Sequence, residues 1–101
     1  PTIVAWSADL IELLGGGKKI VVDTSRNGQG SPPSSVTGDG RWCNPAGRGI
    51  GEAPTTTGLN PLIDAYVYIK NIGESDGNCF GNPAAGVFSL DLALELAKNA
   101  R

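Results

Sequence analysis

The sequence has no histidine and no methionine, and it has only two cysteines. The lack of histidine removes the commonest general base and the commonest metal ligand. Acid–base chemistry in this chain must rest on carboxylates, lysine or tyrosine. Cys43 and Cys79 stand far apart and belong to no CxxC pair, so no metal site is expected. They fit one disulfide in a secreted protein, or two free buried thiols in a cytosolic one. Basic residues are few and scattered, with eight Lys and Arg against ten Asp and Glu, so a nucleic-acid footprint is not expected. No apolar run approaches the length of a membrane span. The chain opens at Pro1 without an initiator methionine, as a processed chain or a piece of a longer one would.

Glycine and proline are abundant instead, at 15 and 7 of 101 residues. That length allows one small domain, with a core that is marginal without extra support. Residues 7–14 read as a short helix with Ser7 as N-cap and Leu10, Ile11, Leu13 and Leu14 on its apolar face. Gly15-Gly16-Gly17 ends it, since glycine takes the left-handed C-cap conformation. The GGGKK run is not a phosphate loop: its spacing is wrong and no Ser or Thr follows the lysine. Ile20-Val21-Val22 reads as a short buried strand ending at Asp23. Residues 62–69 read as a second buried strand ending at Lys70. Ser89 caps a closing helix that runs to about residue 99, with Leu90, Leu94 and Ala97 along one side and Leu92 and Leu96 adjacent. Asp91 in its first turn and Lys98 in its last suit the helix dipole.

This alternation argues for an α/β chain with a parallel sheet. Two strands cannot make a stable parallel sheet alone, and parallel strands are usually covered on both faces. Much of the original sheet is therefore expected to be missing from this chain. Between the strands, residues 24–61 carry no helical or strand period. A loop that long in a compact domain is usually functional. It holds Arg26, Asn27, Arg41, Trp42, Cys43, Asn44 and Arg48, side chains suited to a polar ligand.

Three motifs carry the candidate chemistry. DTSRNG places Arg26 just past the first strand, where its planar fork suits a carboxylate. If the strands are neighbours, Arg26 and Asp76 lie at the same sheet end and can pair, which favours ionised Asp76. The alternative is a surface turn capped by Asp23. RWCNPAGRG puts Trp42 beside Cys43, where the indole either stacks on a sugar ring or fills space over a disulfide. KNIGESDG places Lys70, Glu74 and Asp76 past the second strand, where ligands gather in α/β proteins. The alternative is three solvated loop charges. ESDGN lacks the alternating oxygen ligands and terminal Glu of a calcium loop, and no metal is expected.

Together and in this order, VVDTSRNGQG, WCNPAGRGIG, PTTTG, LIDAYVYIK and GESDG resemble the C-terminal part of glycoside hydrolase family 6, the cellulases that cleave β-1,4-glucan. AGVFSLDLALELAKNA is similar to the family's closing helix, so the resemblance covers nearly the whole chain. It implies a partial, distorted TIM-like barrel of parallel strands, with long active-site loops at the C-terminal strand ends, and residues 1–101 as a single C-terminal fragment of the catalytic domain. It implies hydrolysis with inversion, one carboxylic acid protonating the leaving oxygen and a second carboxylate activating water. Asp76 matches the base or electrostatic partner and Arg26 its ion-pair partner. Lys70, Glu74, Trp42 and Asn44 are the implied glucan contacts, and Cys43–Cys79 the implied disulfide.

The resemblance further implies cellulose or cello-oligosaccharides as partners, no cofactor, secretion, and a missing N-terminal part of the barrel that holds the general acid. A typical barrel needs about 250 residues. Two departures stand out. Asn71-Ile72 replaces a Pro-containing turn, which is expected to loosen Glu74 and Asp76. The segment from Asp76 to Phe88 is short where cellobiohydrolases carry a roofing insertion, which implies an open cleft and an endoglucanase. The competing expectations are a non-catalytic glucan-binding fragment without the acid, and a poorly folded chain without function. Should the chain act alone, Glu52 or Asp64 would have to be the acid.

Overall fold

The computed structural model describes residues 3–101. Helix α1 spans Ile3–Leu13, strand β1 Ile20–Asp23, strand β2 Ile63–Val67 and helix α2 Leu90–Lys98. Two short 3-10 turns, Gly38–Arg41 and Cys79–Gly81, lie in the loops. The order helix–strand–long loop–strand–loop–helix matches the sequence reading; the 3-10 turns carry no periodic signal and were not foreseen.

The start of α1 differs from expectation. Ser7 lies inside the helix and is buried, so it is not the N-cap. Ser7 and Ile11, four residues apart, share the buried face, although the Ser7 hydroxyl has no hydrogen-bond partner there among the described residues. The helix ends as the glycines predict. The Gly16 amide donates to Ile11 O at 2.9 Å and the Gly15 amide to Glu12 O at 3.0 Å, with both glycines at positive φ.

The strands β1 and β2 pair in parallel, with Val21 opposite Ala65, Val22 opposite Tyr66 and Asp23 opposite Val67. Both strands were expected to be buried throughout. Only Val22 and Ile63 are, while Val21 and Ile69 are exposed. A two-stranded sheet has one inward face, so alternate residues point to solvent. β2 also stops at Val67, because the amides of Ile69 and Lys70 leave the ladder for the Asp23 carboxylate, at 3.2 Å each.

The apolar interior is thin: Ile11, Val22, Cys43 and Ile63 are the buried hydrophobic residues among those described. The most deeply buried side chains are hydroxyls, those of Ser7, Thr24, Ser25 and Ser75. On α2, Leu92 and Leu96 turn inward, whereas Leu90 and Leu94 of the expected apolar side are exposed. Ser89 caps this helix as read, its Oγ accepting from the Leu92 amide at 3.3 Å.

The long loop is ordered by backbone pairing. The Gly28 amide donates to Gly49 O, and the Gly51 amide to Thr24 O, each at 2.9 Å. Thr55 and Tyr66 exchange two backbone bonds. The end of α2 docks on the same run: the Ile50 amide donates to Leu96 O at 3.1 Å and the Arg101 amide to Ile50 O at 2.8 Å. A side chain at Gly49 would collide with the Asn99 carbonyl, so only glycine permits this approach.

Candidate active site

The C-terminal ends of β1 and β2 lie side by side, so the residues that follow them meet. Arg26 Nη1 lies 2.6 Å from Asp76 Oδ2, and Lys70 Nζ lies 3.1 Å from Asp76 Oδ1. The Asn44 backbone amide donates to Oδ2 at 2.8 Å. Oδ2 thus accepts twice and Oδ1 once, which leaves Oδ1 with the freer lone pair. The Asp76 side chain is 11% exposed, compared with 33% for Arg26. Arg26 thus pairs with Asp76 across the sheet end, and the turn capped by Asp23 forms beside it.

Burial opposes ionisation of Asp76, but the bonds from Arg26, the Asn44 amide and Lys70 outweigh it and hold the carboxyl below its ordinary range. Asp23 is held low too: burial again pushes up, and bonds from Ser25 and from the Lys70 and Ile69 amides push down further. A depressed carboxyl adds stability that is complete above the unfolded value, about 3.9, and is lost as pH falls through the folded value. The denaturation midpoint of the disulfide-intact chain should therefore stay level down to about pH 5 and fall below about pH 4. A midpoint that does not change between about pH 5 and pH 2 would show that neither carboxylate is held this way.

Asp23 is the positioning residue that the sequence did not reveal. Its Oδ1 accepts from the Ser25 amide at 2.9 Å, the Asx turn that was one reading of it. The same carboxylate also reaches across to β2 and takes the Ile69 and Lys70 amides, fixing the backbone from which Lys70 extends. The only sequence signal was an acid directly at a strand end, and nothing local shows its partners.

Asn44 was expected at the sugar, yet its side-chain amide is engaged within the protein. Oδ1 accepts from the Asp76 amide at 2.8 Å. Nδ2 donates to Gly77 O at 2.9 Å, with Ser75 Oγ at 3.2 Å and Cys79 Sγ at 3.1 Å. Asn44 is buried and sits at φ 47°, a left-handed conformation that asparagine tolerates better than most residues. It orients the Asp76 loop. The Cys43–Cys79 disulfide joins the same two loops one residue away.

Glu74 lies 3.7 Å from Lys70 Nζ. Asn71, the departure expected to loosen this turn, instead holds it: Nδ2 donates to Glu74 Oε2 at 2.8 Å, and its carbonyl accepts from the Glu74 amide at 3.1 Å. The loop after Asp76 then folds back on itself. The Ser75 amide donates to Val87 O and the Gly86 amide to Ser75 O, each at 2.9 Å. Trp42 is 63% exposed, so it does not serve as packing over the disulfide. It borders a groove of about 450 Å³ together with Asp23, Arg26, Arg41 and Arg48. Glu52 and Asp64 lie outside this cluster, paired with Arg101 at 3.8 Å and with Lys19 at 3.9 Å in exposed positions. Among the described residues, no group of three or more His, Cys, Asp or Glu side chains is placed to hold a metal ion.

Residues 4–100 match the sequence profile of Glycosyl hydrolases family 6. The chain is 51% identical over 86 residues to Endoglucanase A of Cellulomonas fimi, which covers 85% of this chain and 18% of that protein. It is 48% identical over 63 residues to a 1,4-beta-D-glucan cellobiohydrolase of Podospora anserina, covering 60% of this chain and 15% of the relative. Its fold superposes on the endoglucanase Cel6 from Mycobacterium tuberculosis, solved in complex with methyl-cellobiosyl-4-deoxy-4-thio-beta-D-cellobioside. That match has a TM-score of 0.82 and 42% identity, and covers 95% of this chain and 32% of the other. The chain thus spans 18% to 26% of the length of the endoglucanases it matches, and 27% to 32% of the solved ones.

Proposed function

Because this chain belongs to Glycosyl hydrolases family 6, we propose that it supplies the base-side and substrate-binding loops of a secreted β-1,4-glucanase that works with inversion. The observation that carries this reading is Asp76, a carboxylate held ionised by Arg26 and Lys70 at the C-terminal end of paired parallel strands. In an inverting mechanism one carboxylate activates water while a separate acid protonates the leaving oxygen. Asp76 takes the first role, by drawing a proton through Oδ1 or by stabilising positive charge at the sugar. Trp42 gives a flat apolar face for a glucosyl ring, and Lys70 and Glu74 give a donor and an acceptor for its hydroxyls.

The acid lies outside these residues. Glu52 and Asp64 are paired elsewhere, and Asp64 sits toward the opposite end of β2. The sheet then continues into further strands of a distorted barrel, which would cover the exposed Val21 side of β1. The short, self-paired loop after Asp76 leaves the cleft unroofed and supports endo-acting cleavage. The disulfide fits an oxidising, extracellular setting. A second reading, a glucan-binding fragment without catalysis, is favoured by Glu52 and Asp64, which pair with Arg101 and Lys19 in exposed positions away from Asp76.

Two assays test the assignment. The folded chain alone should not hydrolyse a soluble cellulose derivative, and hydrolysis by it would place the acid inside these residues. In an enzyme that contains this segment, the first product released should be the α-anomer. Release of the β-anomer would overturn inversion.

A further inference from the structure

Phe80 occupies a backbone conformation that its side chain disfavours. Its φ is 54° and its ψ 37°, in the left-handed region where a bulky residue is a genuine outlier. The tight turn demands that conformation: the Asn82 amide and Asn82 Nδ2 both donate to the Cys79 carbonyl, at 3.1 and 3.2 Å. Glycine would take it freely. The ring gains nothing in exchange from the fold, because Phe80 is 69% exposed. An aromatic side chain that strains the backbone and stays in solvent points to a contact outside the chain.

Its placement says what kind of contact. Phe80 directly follows Cys79, and Trp42 directly precedes Cys43, so one disulfide with a Cα–Cα separation of 6.4 Å ties together the backbone positions that carry the two exposed rings. Phe80 borders a second groove, of about 520 Å³, whose wall it shares with Pro32, Val36, Asn82, Asp91 and Glu95. Pro32 also borders the Trp42 groove, so the two grooves adjoin. Glu95 Oε1 already accepts from the Gly47 amide at 2.8 Å, and its second oxygen remains available. The Asp91 carboxylate makes no hydrogen bond or ion pair among the described residues. An aromatic face with amide and carboxylate acceptors around it matches a neutral sugar, which offers C–H faces and hydroxyl donors.

We propose that Phe80 and its groove form an additional glucan-binding subsite, continuing the Trp42 surface past the disulfide. This rests on the glucan reading above. The test measures cellohexaose binding and thermal stability of the disulfide-intact chain and of Phe80→Gly, Phe80→Tyr and Trp42→Ala. Phe80→Gly should raise Tm by about 4 °C by relieving the strained turn, and should weaken cellohexaose binding by about fivefold or more. Phe80→Tyr should bind as the unaltered chain does. Equal affinity in Phe80→Gly, with binding still dependent on Trp42, overturns the subsite alone. A lower Tm in Phe80→Gly makes the ring structural and also overturns it. No binding by the unaltered chain overturns the glucan reading, and the subsite with it.

Discussion

In a family 6 enzyme that contains this segment, Asp76→Ala should lower turnover by about a hundredfold or more and leave substrate binding nearly unchanged. The carboxylate is 11% exposed, and both of its oxygens already accept from protein groups. It therefore has little to offer a ground-state sugar. What it can add is transition-state stabilisation, by fixed negative charge or by taking a proton from water through Oδ1. A group that acts only in the transition state lowers kcat and kcat/KM together and leaves KM alone. Asp76→Asn should lose about as much as Asp76→Ala, since the amide keeps the shape but not the charge.

The direction of the Asp76 shift bears on which of these roles dominates. A carboxyl held below its ordinary range is a weak base, so charge stabilisation or a relay through water suits it better than direct proton abstraction. Removing the carboxylate also leaves Arg26 and Lys70 facing each other without their shared anion. Circular dichroism of the variant must therefore accompany the kinetics. Normal turnover in a folded Asp76→Ala enzyme would remove Asp76 from the mechanism.

Opening the Cys43–Cys79 bridge is expected to destabilise the chain by about 4 kcal/mol, from the chain entropy of a 36-residue separation. Total stabilities of small domains are about 5–15 kcal/mol, and this interior buries few apolar side chains. The reduced chain, or a Cys43→Ala, Cys79→Ala double variant, should be largely unfolded at 37 °C. Before global unfolding, the loops that carry Asn44 and Asp76 should separate, because the bridge joins them directly. The bonds from Asn44 to the 75–79 segment oppose this locally, but polar bonds near solvent exchange for water with modest net gain. Urea denaturation with and without reductant measures the difference. An unchanged midpoint would mean that the Asn44 bonds hold the loops without the sulfur bridge.

The elements whose signals are local were legible in the chain. The glycine run that ends α1, the β-branched Ile20-Val21-Val22 and the Ser89 cap each act within a few residues, so a reader of the chain can find them. The pairing of Arg26 with Asp76 was also legible. Parallel strands place their C-terminal ends together, and the two residues follow those ends at short range. The five sequence blocks were specific enough to point to the family that the profile match then established.

Which side chains face a ligand and which hold the site depends on packing across the fold. Asn44 and Trp42 are two residues apart in one loop, and both suit a sugar by chemistry. One is buried in bonds to the 75–79 segment, and the other stands exposed on a groove. Asp23 reads as a turn residue until β2 arrives beside it and its carboxylate takes two amides from across the sheet. The Phe80 conformation is set by a turn whose partners lie within its own loop, yet no residue pattern announces it. The physical reason is common to Asn44 and Asp23. Hydrogen bonds and backbone dihedrals at these positions are fixed by what the fold brings near, and sequence spacing carries no record of neighbours that are thirty or more residues away.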